Sequence, residues 1–119
     1  MFRLILDELL VKTHGALAAL FLDFEGETVE LVCDRDLSDH DLRILGAYQG
    51  IFLDRLRTMC SHVGAGQPQR FKIEFEEVAV LSYDVKDGYY VVLLVDGSFI
   101  EGVAWRRLEK CRERLLAEM

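Results

Sequence analysis

Three histidines, three cysteines and several clustered acids are the side chains of this sequence that could do chemistry. Cys60-Ser61-His62 sets a thiol and an imidazole two positions apart, and Cys33-Asp34 offers a further donor. Tetrahedral zinc takes four ligands at recognisable spacing. The chain has no such spacing, so the expected state is a partly buried cysteine beside solvated histidines, with His14 and His40 in the same class as His62. Asp23 and Glu25 flank a turn, as do Asp34 and Asp36, and a carboxylate pair can work as acid and base. Turn acids that satisfy nearby backbone N–H groups are the simpler reading. No serine or cysteine sits in a G-x-S-x-G elbow, and Gly64-Ala65-Gly66-Gln67-Pro68-Gln69 lacks the lysine and hydroxyl residue of a phosphate-cradling loop. No catalytic, cofactor-binding or metal-ligating set is expected, and the chain is expected not to be an enzyme.

Composition points the same way. The 119 residues make one domain of 1–119, long enough to bury a core. Hydrophobic residues are 51% of the chain and proline occurs once, which excludes a disordered segment. The formal charge of −7 argues against a phosphate-backbone partner, which needs clustered lysine and arginine. Cys33, Cys60 and Cys111 are odd in number and irregular in spacing, so free thiols in a reducing cytoplasm are expected rather than a disulfide framework. The segment MFRLILDELLVK carries charges early and lacks the features of a signal peptide, and no apolar run reaches the ~20 residues of a membrane span.

The elements that must position any site follow from hydrophobic periodicity. Phe2 to Lys12 reads as an amphipathic helix with Phe2, Ile5, Leu6, Leu9 and Leu10 on one face. Ala16 to Phe24 is apolar almost throughout, as in a strand covered on both faces. Thr28 to Cys33 and Arg70 to Glu76 alternate, as strands with one wet face do, and the charges of the latter mark an edge. Val78 to Val85 and Tyr89 to Val95 flank the hairpin signal Asp87-Gly88. Of Tyr89 and Tyr90, one is expected in the core and the other on the opposite face. The last helix has the stripe Ile100, Ala104, Leu108, Cys111 and Leu115, with Trp105 beside it and expected against the first helix.

The order is α-β-β-α-β-β-β-α. The uninterrupted first and fifth strands belong in the centre and the alternating second and third at the edges. This predicts an α+β fold: a five-stranded antiparallel sheet of order 2-1-5-4-3 with helices on both faces.

Ser38 to Cys60, the middle helix, is the unusual element. Ser38 can cap it, and Asp39 and Asp41 suit its first turn. At 100° per residue, Leu42, Leu45, Gln49, Phe52, Leu53, Leu56 and Cys60 form one stripe, and Ile44, Tyr48, Ile51 and Met59 form a second beside it. Arg43, Ala47, Gly50, Asp54 and Arg57 fill the narrow remaining arc. One sheet needs one stripe a little over ~100° wide. The surplus calls for a second surface, and in a chain this short that surface is expected to be another molecule.

Gly15-Ala16 before the first strand, LFLDFEGETVELV from Leu20 to Val32, the long middle helix and LSYDVKDGYYVVLLVD from Leu81 to Asp96 together resemble the roadblock/LC7 family over nearly the whole chain. The resemblance implies a profilin- and longin-like fold. It also implies a dimer in which the middle helix and third strand meet their counterparts, and a role as a platform or regulatory partner for Ras-like small GTPases. The third helix is similar to the bacterial GTPase-partner branch. Carried onto this sequence, the resemblance sets Ile44, Tyr48, Ile51, Arg55, Met59, Phe71, Ile73 and Phe75 at or beside the dimer interface.

Arg35, Arg55 or Arg57 could supply positive charge to a GTPase's phosphates, but helix ion pairing or solvation is the simpler reading, for example Arg57 with Asp54. The resemblance also implies activators that reposition the GTPase's own residues, with no inserted arginine. The expected function is thus a cytoplasmic, homodimeric interaction module for a Ras-like GTPase. The alternative is a small-ligand-sensing profilin- or PAS-like module with an apolar pocket between the sheet and the helices, the second stripe facing that pocket or a flanking helix.

Overall fold

The computed structural model describes residues 1–119. Its elements are α1 (Phe2–Lys12), β1 (Ala16–Leu22), β2 (Thr28–Cys33), α2 (Asp39–Val63), β3 (Arg70–Glu74), β4 (Val78–Lys86), β5 (Tyr89–Asp96) and α3 (Glu101–Ala117). All strand pairs are antiparallel, in the order β2-β1-β5-β4-β3. The architecture is the α+β arrangement expected, with the two uninterrupted apolar strands side by side. Leu20 pairs with Leu31 on one side and Val92 on the other, so β1 is covered along its whole length.

Alternation along the central strands sends side chains to two cores. Ala19, Phe21, Leu81, Val91 and Leu93 meet Ile5, Leu6 and Leu9 of α1 and Ala104, Leu108 and Leu115 of α3. Leu20, Leu22, Val80, Tyr90 and Val92 meet Leu42 and Leu53 of α2 on the other face. Two helices therefore cover one face and a single helix covers the other.

Local chemistry sets the turns and ends. The Asp23 carboxylate accepts the N–H groups of Glu25 and Glu27, which makes it a turn acid. Asp87 and Gly88 both have positive φ, 53° and 85°, as a two-residue hairpin turn of the primed kind requires. Ser38 Oγ accepts the Asp41 N–H at 3.1 Å and caps α2.

Several boundaries and placements differ from expectation. The first strand stops at Leu22, where the β1–β2 register shifts, and Phe24 is left exposed in the turn. The third strand ends at Glu74, because the Phe75 N–H turns to the Val78 carbonyl to close the hairpin. The middle helix runs to Val63 and stops where Gly64 takes a left-handed φ of 69°. Ile100 precedes α3 and is exposed, so it is not part of the core stripe. Trp105 packs on Tyr83, with ring centroids 6.2 Å apart, and beneath the Arg70 guanidinium at 4.6 Å. It lies on the flank of α3 that faces the β3–β4 edge, not against α1.

The two cores make the fold sensitive to alkali. Burial in the α1/α3 layer pushes the Cys111 thiol up to about 12 from 9.0, and burial under α2 pushes the Tyr90 hydroxyl up to about 12 from 10.0. Both groups keep their protons in the folded chain at pH values where the unfolded chain has released them. Their contribution is complete below pH 9 and is lost as pH climbs towards 12. The denaturant midpoint is expected to fall steadily from pH 8.5 to 10.5. In Cys111→Ala the fall should begin about a unit later, near the ordinary tyrosine range. A midpoint that is flat over this range would contradict the buried, protonated thiol.

Candidate functional site: an exposed apolar face on α2 and β3

The helix α2 meets the sheet through a narrow strip in which a glycine and a glutamine sit between two leucines. Its buried residues are Leu42, Gly46, Gln49 and Leu53. A Cβ on Gly46 would stand 2.8 Å from Leu22 Cδ2, and one on Gly50 would stand 2.5 Å from Tyr90 Oη. The two glycines, one turn apart, thus let the helix backbone settle onto β1 and β5. The Tyr90 hydroxyl donates to the Gly46 carbonyl at 2.8 Å, which fixes the helix height. Buried Gln49 donates through Nε2 to the Leu45 carbonyl at 3.2 Å and faces Ser82 of β4. The Arg57 guanidinium donates to Asp84 at 2.8 Å and ties the second half of the helix to β4.

The opposite arc is apolar and open. Ile44, Tyr48, Ile51, Phe52 and Met59 retain between 38% and 62% of their surface, too much for a helix face sealed by its own fold. Arg55 lies among them, exposed and without a carboxylate partner. The Tyr48 and Phe52 rings stack at 6.4 Å, and Phe52 meets Phe71 of β3 edge-on at 6.5 Å. This aromatic chain carries the apolar surface from the helix onto the edge strand, where Phe71 and Ile73 are half-buried and Phe75 is exposed. The alternate residues turn to the other face, where Lys72 donates to Glu101 of α3 at 2.6 Å. As an edge strand, β3 also has one side with no strand beside it.

All eight residues expected at an interface fall on or beside this face: Ile44, Tyr48, Ile51, Arg55, Met59, Phe71, Ile73 and Phe75. Two neighbours are placed differently from expectation. Phe52 belongs to the open arc rather than the sheet-facing stripe, because the glycine strip rotates the helix towards Gly50. Gly50, expected on the polar arc, lies against Tyr90 for the same reason. The signal available beforehand was the pair Gly46 and Gly50 at i, i+4 spacing, which marks close backbone approach. Arg57 pairs with Asp84 rather than with Asp54, whose carbonyl instead accepts the Thr58 hydroxyl.

The arrangement suits association. The space between α2 and the sheet, where the alternative reading seats a ligand, is occupied by Leu20, Leu22, Leu53 and Tyr90. Cys33 donates to the Arg35 carbonyl, and the histidines stand apart on the surface. No helix is long and apolar enough to cross a membrane.

No family model matches the chain, and no curated protein matches it. Solved structures do. The roadblock/LC7 domain from Streptomyces avermitilis superposes with a TM-score of 0.84 at 12% identity, covering 94% of this chain and 92% of that one. MglB from Myxococcus xanthus gives a TM-score of 0.85 at 15% identity, covering 98% and 92%. An MglB in a tetrameric arrangement gives 0.85 at 18% identity, covering 95% and 83%. The two-cored sheet with a two-sided α2 is the roadblock/LC7 fold, as the motifs around Gly15, Asp23 and Asp87 lead one to expect.

Proposed function

We propose that this protein is a non-enzymatic, homodimeric interaction module of the cytoplasm that binds a Ras-like small GTPase and modulates it. The observation that carries the first half is the continuous apolar face from Ile44 to Phe75, half-open in the single chain and flanked by an edge strand. In a twofold dimer the same patch serves both copies. The helix α2 and strand β3 would cover their counterparts, so the residues that interrupt the protein's solubility become its core. An MglB with this fold has been solved in a tetrameric arrangement, which supports self-association within the fold.

The GTPase half rests on the roadblock resemblance. A platform offers its partner two copies of one surface and changes which conformation of the GTPase switch segments is favoured. No chemistry need come from the platform. The test is titration of each Ras-like GTPase of the same genome, loaded with GDP or a non-hydrolysable GTP analogue, into the labelled protein. Binding that differs at least about tenfold between the two nucleotide states is expected, since only differential affinity shifts a two-state equilibrium. Equal or no binding in both states, for every GTPase tried, would remove the GTPase half and leave the dimer.

A further inference from the structure

The face of the sheet away from α2 carries a second feature. A groove of about 140 Å³ runs between α1 and α3. Its floor is apolar: Ile5 and Leu9 from α1 and Cys111 from α3. Its walls are cationic: Lys12 at the end of α1, and Arg107, Lys110 and Arg114 along α3. Glu8 is the one carboxylate there, and it is engaged by both Lys12 and Arg114. Arg107 and Lys110 have no carboxylate partner, although the chain as a whole carries −7. Arg107, Lys110 and Arg114 share the side turned to α1, while Glu109 lies on the far side of the helix and Glu113 lies about 60° round from Lys110, outside the groove lining.

We propose that this groove is a docking site for a short acidic peptide segment of a partner protein, with an apolar residue at its centre. Charge complementarity selects the sign: four cations and one already engaged carboxylate attract an acidic strand. The floor selects the apolar residue. Length follows from the lining stretch of α1, Ile5 to Lys12, a trough of about 12 Å that an extended segment of about four residues spans. Shape selects a peptide over a flat anionic surface or a nucleic acid. Those would meet Glu109 and Glu113 together with the cations, on a chain already strongly negative. Because the groove and the α2 face lie on opposite sides of the sheet, both can be occupied at once. The proposal does not depend on the GTPase reading.

The test uses fluorescence anisotropy with fluorescein-labelled peptides EELEE, EEGEE and QQLQQ on the full chain. At about 50 mM salt EELEE should bind, EEGEE more weakly, and QQLQQ not at all. Raising salt to about 300 mM should weaken EELEE at least tenfold. Arg107→Glu with Lys110→Glu should also weaken it at least tenfold, and the milder Arg107→Gln with Lys110→Gln should give a smaller loss if the reversed pair disturbs α3. Lys86→Glu with Arg43→Glu makes the same change in net charge outside the groove and should leave binding within about twofold. No binding of EELEE at low salt would overturn the proposal. So would equal loss in both charge-reversed variants, or groove-dependent binding of phosphatidylserine vesicles or single-stranded DNA as strong as that of the peptide.

Discussion

Ile51→Glu is expected to turn the proposed dimer into a monomer. Ile51 sits at the middle of the open arc of α2, with Tyr48 and Ile44 one and two turns towards the N-terminus and Met59 two turns towards the C-terminus. Covering such a side chain contributes on the order of 1.5–3 kcal/mol, and a buried carboxylate without a partner costs more. In a twofold interface each substitution is felt twice. The dissociation constant should rise at least about a hundredfold, since each 1.4 kcal/mol is a factor of ten. The folded monomer should survive, because Ile51 makes no part of either core. Light scattering against concentration reads the first outcome and the thermal transition reads the second. A dimer with unchanged affinity would place the interface elsewhere.

Gly50→Val is expected to cost about 3 kcal/mol of stability through overpacking, at the upper end of its usual range. A Cβ there would stand 2.5 Å from Tyr90 Oη and 2.9 Å from its Cζ, so either the ring or the helix must move. Moving the helix breaks the Tyr90–Gly46 hydrogen bond and lifts Leu53 from its core. Tyr90→Phe removes the nearer atom and should recover part of the loss when combined with Gly50→Val, although alone it costs about 1 kcal/mol for the lost bond. Urea denaturation of the two single variants and the double variant measures the coupling. Strictly additive effects would mean that Gly50 does not serve the approach of α2 to β5. The variant also reaches the proposed site, because a displaced helix misplaces Tyr48 and Phe52 relative to Phe71.

The sheet was legible in the sequence because hydrophobic pattern encodes exposure directly. ALAALFL and YYVVLLV are apolar on both sides and take the centre, while TVELVC and RFKIE alternate and take the edges. The surplus of α2 was legible for the same reason, since Ile44, Tyr48, Ile51 and Met59 exceed what one sheet can cover. The rotation of α2 was not. A wheel weighs residues by hydrophobicity, and the helix is docked by glycines, a glutamine and a tyrosine hydroxyl, which such a scale counts as weak or polar. Trp105 escaped for a related reason: its place depends on Arg70 and Tyr83, which periodicity within α3 cannot see. The basic α1–α3 groove was hidden because its cations come from segments about a hundred residues apart, and each alone reads as an ordinary wet helix face.

The central claim is that the α2 and β3 face is covered by a second copy. Sedimentation equilibrium of the unmodified protein tests it most directly, across a range of about 1 to 100 µM, where interfaces of standard size are occupied. A mass twice the chain's 13.7 kDa, with monomer emerging only on dilution, is the predicted result. A single species of 13.7 kDa at the highest concentration would contradict it.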